Sequence, residues 1–462
     1  MDSHRQGQAR VAVAATLLSL ATFVGVTAAH SGGLAGSARD PIAIPTWLFL
    51  LTGGGVVGIS FLLASFVTDR RLIDALHDWR RDVPDPGRVG RSVASLAGVG
   101  IVAVTLVVGA IGPTTGVRSL TVLVVWVGWW GGYVASTYLL GNTWPTLNPF
   151  RTVAERLPTL GRSYPESVGS WPSVAGLLVL VWVEIATPLA DDPRLLVAVL
   201  AAYTVTTLGG AVVFGADQWF ERVDPLARAF RYYGRLAPLG VDNGRLRLRL
   251  PGSALPETTL EGRDDVAFIV TLLFVTTYDG GVATGPWAAG VRAVVEMGVP
   301  PLVVYLGTYL AGAGLFYLAF RAAARIGRRR ADTYRSATYL ARRFAPSLLP
   351  IAAGYHLAHN LGSVLVLSPT LAAVAAAPLS PPAMPPQLAG LPAWFGGLEL
   401  ACVLVGHLFA VWVAHATAYD VFPSRLQAVR SQYGVTAVMI GYTMLSLWIV
   451  AEPYVAPPFL AT

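Results

Sequence analysis

Gly354-Tyr355-His356-Leu357-Ala358-His359-Asn360-Leu361 lies inside an apolar segment, 345–370, long enough to cross a bilayer. A second apolar segment follows it and runs from Gly406-His407 through His415. Four of the seven histidines fall in these two segments, and the others are His4, His30 and His77. An ionisable side chain at bilayer depth is costly to place, so such residues mark a functional site by default. Reading these segments as membrane spans decides the fold, and the rest of the chain must then supply the partners.

Composition agrees with that reading. Of 462 residues, 54% are hydrophobic and 13% charged, with a mean hydropathy of +0.57. Soluble domains carry about 25% charged residues, so this chain cannot cover a water-facing surface. The sequence predicts an all-α, polytopic transmembrane helix bundle. All 33 basic residues are arginine, and the formal net charge is +7. The arginines sit in loops between apolar segments, which points to topology signals and anionic-lipid contacts and not to nucleic acid. Cys402 is the sole cysteine, which excludes an internal disulfide and a cysteine-based zinc or iron–sulfur site. Any metal must be held by histidine, carboxylate or water.

Eleven apolar spans are expected, at 11–28, 46–67, 92–112, 119–140, 172–190, 195–215, 264–282, 298–320, 345–370, 394–416 and 433–452. Residues 1–29 read either as a signal peptide, with small residues at Ala28-Ala29, or as the first transmembrane helix. Cleavage would leave ten spans and make His30 the mature N-terminus, an amine–imidazole pair that suits copper; otherwise His30 is a loop residue. Residues 30–462 form one integral membrane domain with a cytoplasmic insert at 216–263. Within the insert, Arg245-Leu246-Arg247-Leu248-Arg249-Leu250 alternates strictly and predicts a strand after the Asp242-Asn243-Gly244 turn. Thr152–Leu157 predicts a short surface helix. With the N-terminus cytoplasmic, only Arg39, Arg118, Arg194 and Arg292 fall outside and the other 29 arginines fall inside. That bias predicts a multi-pass plasma-membrane protein with cytoplasmic Arg-rich loops and an external C-terminus.

Residues three apart share a helix face, so His356 and His359 point the same way. His407 lies ten residues from the cytoplasmic end of its span and His356 eleven from the same end of its own. Counts of ten and eleven imply nearly equal depth, and the loop between the spans lets them pack antiparallel, so a three-histidine cluster is geometrically allowed. His415 falls about 12 Å further along the axis, near the cytoplasmic edge. Asp279 is the first choice to complete the cluster, as ligand or general base, because Tyr278 and Gly280 mark an irregular helix end. Glu184, placed near the middle of its span, is the second catalytic carboxylate. Glu399 is read as pairing with a neighbouring helix, the tryptophans at 126–130 as packing, and His77 and His4 as solvated. Histidines with a carboxylate suit a divalent Zn, Cu or Fe ion, whose bound water can act as a nucleophile. The plainer alternative is a set of separate structural hydrogen bonds.

Several stretches resemble a group of polytopic membrane proteins of bacteria and haloarchaea labelled fenitrothion hydrolase-like. They are Ala29-His30 with Asp40–Phe49, Gly141–Thr152, Tyr278-Asp279-Gly280, Tyr355–Asn360, Gly406–Ala416 and Arg425–Tyr433. The resemblance spans most of the chain and implies hydrolysis of an organophosphate, phosphotriester-like ester. Where bacterial members follow the second segment's last histidine with an acidic and a basic residue, this chain has Ala416-Thr417. His415 is therefore left out of the expected site. Three functions fit the residues: a metal-dependent hydrolase acting on a small molecule, a transporter or metal-handling permease using the same groups as an ion path, and a b-type cytochrome with one haem between a histidine of 345–370 and His407.

Overall fold

The computed structural model describes residues 46–84, 87–242, 244–388, 390–392 and 394–460. The first expected span, the signal-peptide reading, His4 and His30 lie outside them. Ten helices follow the expected spans from residue 46 onward. They are α1 (Thr46–Phe66), α2 (Gly87–Ile111), α3 (Leu120–Leu139), α4 (Trp171–Ala186), α5 (Pro193–Phe214), α6 (Arg263–Val282), α7 (Pro301–Ala331), α8 (Leu349–Ala376), α9 (Phe395–Val421) and α10 (Tyr433–Ala451). Among the described residues, eight helices are long and apolar enough to cross a membrane; α1 reaches that test together with Arg70–Asp78, from which it is bent by 110°.

α4 falls short of the expected 172–190. Thr187 is extended (φ −135°, ψ 157°) because Pro188 follows it, and the helix stops at Ala186. Its 16 residues span about 24 Å, less than a bilayer core of about 30 Å. The short surface helix also moves, to Pro149–Ala154. Asn148 Oδ1 accepts from the amides of Phe150 and Arg151, and Pro149 occupies the first turn, so the start is set there. An additional helix, Gly285–Glu296, fills the stretch between α6 and α7, which lies between two expected spans.

The loops sort into two tied sets. Strand β1 (Arg80–Asp82) pairs antiparallel with β3 (Arg245–Arg249), which also pairs with β2 (Leu239–Asp242), in the order β1-β3-β2. The predicted strand thus belongs to a sheet whose third member comes from the loop after α1. The Leu239 amide donates to the Leu140 carbonyl at 2.9 Å. Arg70 donates to the Tyr419 and Phe422 carbonyls, each at 2.6 Å. These contacts bind the loops after α1, α3, α5 and α9. The second set is held by Arg118 on the Pro381 carbonyl (3.2 Å), Arg194 on the Gly109 carbonyl (2.7 Å) and Val455 on the Ala283 carbonyl (2.8 Å). Loops therefore alternate between the two sets along the chain. His77 was expected in solvent but is buried: Nδ1 donates to the Ile73 carbonyl at 2.8 Å and the ring stacks on Trp412.

α6 is the axis of the bundle, with 89% of its apolar window buried against α4, α7, α8 and α10. Its threonines would be a liability there, but Thr276 and Thr277 each donate back to the Leu273 carbonyl at 2.9 Å. α8 and α9 pack antiparallel and very close. A Cβ on Gly354 would lie 2.6 Å from the Cys402 carbonyl oxygen, and one on Gly406 would lie 2.5 Å from that of Pro350. Backbone therefore meets backbone, which only glycine permits. Beyond that contact Pro369 offers no N–H to the Leu365 carbonyl, and the Ser368 hydroxyl donates to it instead at 3.0 Å.

Between α4 and α5, Asp192 caps α5 by accepting from the Arg194 and Leu195 amides. Burial pushes the neighbouring Asp191 up to about 6. A carboxyl with a raised folded-state value favours folding when protonated, so its contribution is lost as pH rises from about 4. Melting temperature in detergent should fall between pH about 4 and 6, and Asp191→Asn should flatten that part of the profile.

Candidate functional site

Two helices begin together. The Ser170 amide, just before α4, donates to Asp264 Oδ2 at 2.5 Å, at the start of α6. The helices then run parallel. Glu184 is 14 residues beyond Ser170 and Asp279 is 15 beyond Asp264, so the two carboxylates agree in level within about 2 Å. Both stand in the last turn of their helices. Glu184 is therefore near a helix end and not mid-span, because Pro188 shortens α4.

α8 brings two imidazoles to the same place. Glu184, Asp279, His356 and His359 all line one cavity of about 20 Å³, with Tyr355, Asn360, Thr276 and Trp130. That is room for about one water. His359 Nε2 lies 3.6 Å from Asp279 Oδ2, an ion pair whenever the imidazole is protonated. The His359 ring stacks on Tyr355, with 6.1 Å between centroids and 10° between planes. A Cβ on Gly280 would fall 1.9 Å from the Tyr355 hydroxyl, so the absence of a side chain at Gly280 is what admits Tyr355 beside Asp279. His356 Nδ1 is 2.9 Å from the Tyr138 hydroxyl, and the ring meets Trp130 edge-on. The Asn360 side-chain amide donates to the His356 carbonyl at 2.9 Å. His356 Nε2 and Glu184 Oε1 are buried without a hydrogen-bond partner.

His407 is not among the cavity's lining residues. The glycine contact explains why. Gly354 faces Cys402 and Gly406, and Gly362 faces Glu399. In this antiparallel register His356 and His359 stand level with Cys402 and Glu399. His407 stands level with Ile351, about 7 Å from His356 along the axis. Counting residues from the charged ends of two spans could not reveal this offset, because backbone contact and not loop position sets the register. His407 Nδ1 donates instead to the Val403 carbonyl at 2.8 Å, and its Nε2 has no partner. His415 sits at the edge, between the Val67 carbonyl (2.8 Å from Nε2) and Gln432.

A second cavity adjoins the first and shares Trp130, Val181 and Glu184 with it. It holds about 530 Å³ and is almost wholly apolar, between α2, α3, α4 and α5. Residues Val124–Tyr133 of α3 are wound as a π-helix, a rare form frequent at functional sites. This stretch supplies Trp126, Trp129, Trp130 and Tyr133 to the wall. The tryptophans read as packing thus border a chamber, and the π-helix, invisible in the sequence pattern, puts them there. No histidine lines the chamber, so a haem seated there would have no histidine ligand among its lining residues.

Two imidazoles and two carboxylates are a donor set for Zn, Fe or Cu, and two of the four offer partnerless atoms. Among the described residues, however, no three His, Cys, Asp or Glu side chains are grouped so as to hold an ion. A scan against protein-family models, a search of curated proteins and a search of solved structures each find no match to this chain.

Proposed function

We propose that the chain is a multi-pass plasma-membrane hydrolase of phosphotriester-like esters, working at the Glu184–Asp279–His356–His359 cavity. Eleven spans, or ten after cleavage of 1–29, place the Arg-rich loops in the cytoplasm and the C-terminus outside. One observation carries the reading: four titratable side chains from three helices border a water-sized space that shares Trp130, Val181 and Glu184 with an apolar chamber. The resemblance named above supplies the ester class.

A divalent Zn, Cu or Fe ion would be held by His356 and Glu184, whose Nε2 and Oε1 have no hydrogen-bond partner, with water in its other positions. When bound it would supply Lewis acidity that lowers the proton affinity of a bound water. The protein's own groups do the rest. Tyr138 holds His356 at Nδ1 and leaves Nε2 to the cavity. The Asp279–His359 pair takes the proton from water as its oxygen bonds to phosphorus. One phosphorus–oxygen ester bond breaks, and the same pair returns the proton to the departing alkoxide or aryloxide.

Elemental analysis of detergent-purified protein, with turnover of a p-nitrophenyl dialkyl phosphotriester, is the direct test. Stoichiometric zinc, copper or iron, lost together with turnover in His356→Ala, is the expected result. Protein that folds but binds none of the three and releases no nitrophenol overturns the proposal. A second reading rests on Glu184, which borders both cavities: a proton-coupled carrier would load a lipophilic molecule beside that carboxyl. Substrate uptake by proteoliposomes under a pH gradient, without hydrolysis, would favour it.

A further inference from the structure

The apolar chamber lies between two contacts that set α2 and α5 against each other. At one end Gly109 of α2 meets Val197 of α5 directly. At the other, Gly98 of α2 meets the Leu147 carbonyl, and Phe150 packs edge-on against Tyr203 of α5 with 5.1 Å between ring centroids. Residues 147–150 therefore stand between the two helices there, and the chamber follows the gap. It is walled by 98–105 of α2 and 196–203 of α5, stretches that each rise about 10 Å, so it is elongated along the helices. Glu184 borders the end away from Phe150. α2 and α5 are lipid-facing, with only 22% and 17% of their apolar windows buried, so the chamber is one helix layer from the bilayer.

The wall has almost nothing with which to hold water. Thr105 donates to the Ile101 carbonyl, Tyr203 to Asp224 Oδ2, and Tyr133 pairs with Thr143. The indole nitrogens of Trp126 and Trp144 are covered by protein and do not reach the space. A buried water needs two to four polar partners, and apolar cavities without them stay dry and take apolar guests. An empty space forfeits the dispersion contacts of every atom that lines it. Size follows from the same comparison: an apolar cavity of about 150 Å³ takes up one benzene, six carbons. By that measure the chamber's volume of about 530 Å³ takes roughly twenty carbon-sized atoms. Among the described residues no basic side chain lines it, so a phosphate headgroup stays outside.

We propose that this chamber holds one long hydrocarbon chain of a bilayer lipid, straight or methyl-branched, lying along α2 and α5 with its headgroup outside. The chain packs against Ile101, Val199 and Leu200 on the lipid side and against Trp126, Trp129, Leu177 and Val181 on the inner side. Binding here stands apart from any chemistry at the polar cavity.

The test is photolabelling of the full-length protein in phosphatidylcholine nanodiscs doped with a phosphatidylcholine that carries a diazirine near the end of one long chain. Two probes are used, one with a straight chain and one with a methyl-branched isoprenoid chain. Trp126, Leu177 and Val181 are buried behind α2 and α5, where bulk lipid does not reach. Label on these residues in the parent protein is the expected result, and the probe that labels them more strongly identifies the kind of chain. Exchanging the choline headgroup for glycerol should leave that label unchanged. Val199→Phe with Leu200→Phe fills the space and should remove it, in protein that stays monodisperse and keeps its label on the outward residues of α1 and α7. Label in the parent confined to those outward residues with both probes, label at Trp126, Leu177 or Val181 that survives the filling variant, or label that follows the headgroup overturns the proposal.

Discussion

Arg228→Met should lower the stability of the folded protein by about 3–5 kcal/mol, the range for removing one partner of a buried ion pair. Arg228 lies on the short helix Pro225–Leu236 and is 3% exposed. Its guanidinium pairs with Asp265 in the first turn of α6 and donates to the Ser170 hydroxyl at 2.6 Å and the Glu221 carbonyl at 3.1 Å. Asp265 Oδ1 also accepts from the Tyr232 hydroxyl at 3.0 Å, and Oδ2 from the Glu261 and Gly262 amides. Methionine keeps much of the volume and removes the charge. The Asp265 carboxylate would then be buried with its strongest donor gone. The loss should reach the site, because Ser170 is where α4 and α6 are tied. The midpoint of unfolding in SDS titration is the measurement, and the double variant Arg228→Met, Asp265→Asn should recover part of the loss. A shift below about 1 kcal/mol, the usual worth of an exposed pair, would mean that water reaches this network.

Much of this architecture is legible in the sequence because hydropathy and arginine placement are local signals. Each apolar span from residue 46 onward is matched by a helix, and hydrogen bonds tie loops into two sets that alternate along the chain. The Leu239–Arg249 hairpin is also local, and its turn and alternation show it; its pairing with Arg80–Asp82 is not, since nothing in either stretch points to the other. The candidate site divides the same way. His356 and His359 lie on one face by spacing alone, and Asp279 stands out by its place beside Gly280 near a helix end. His407 failed to join them because helix register depends on where Gly354 meets Gly406, a contact between segments 52 residues apart. Glu184 joins the site because the Ser170–Asp264 hydrogen bond aligns two helices that hydropathy treats as separate. Tyr138 and the π-helical tryptophans carried no signal: an aromatic in an apolar span looks the same whether it packs or borders a cavity.

Asp279→Asn should lower kcat for phosphotriester turnover by about 10²–10⁴-fold and leave KM near its original value, the signature of losing a group that acts mainly in the transition state. Asparagine preserves the shape beside His359 and Gly280, so packing does not account for so large a loss, and an unchanged melting temperature would show it. What asparagine cannot do is take a proton or hold the His359 imidazolium. His359→Gln should therefore produce a loss of similar size, and the double variant should be little worse than either single one if the two residues act as a unit. His407→Leu separates the two versions of the site. The register places it a turn away from the cavity, and its turnover should stay within about threefold of the parent protein, a difference below 1 kcal/mol. Collapse of kcat in His407→Leu with the fold intact would restore the three-histidine cluster and displace Glu184. Retention in His407→Leu with collapse in Glu184→Gln would fix the working set as two carboxylates from the parallel pair α4–α6 and two imidazoles from α8.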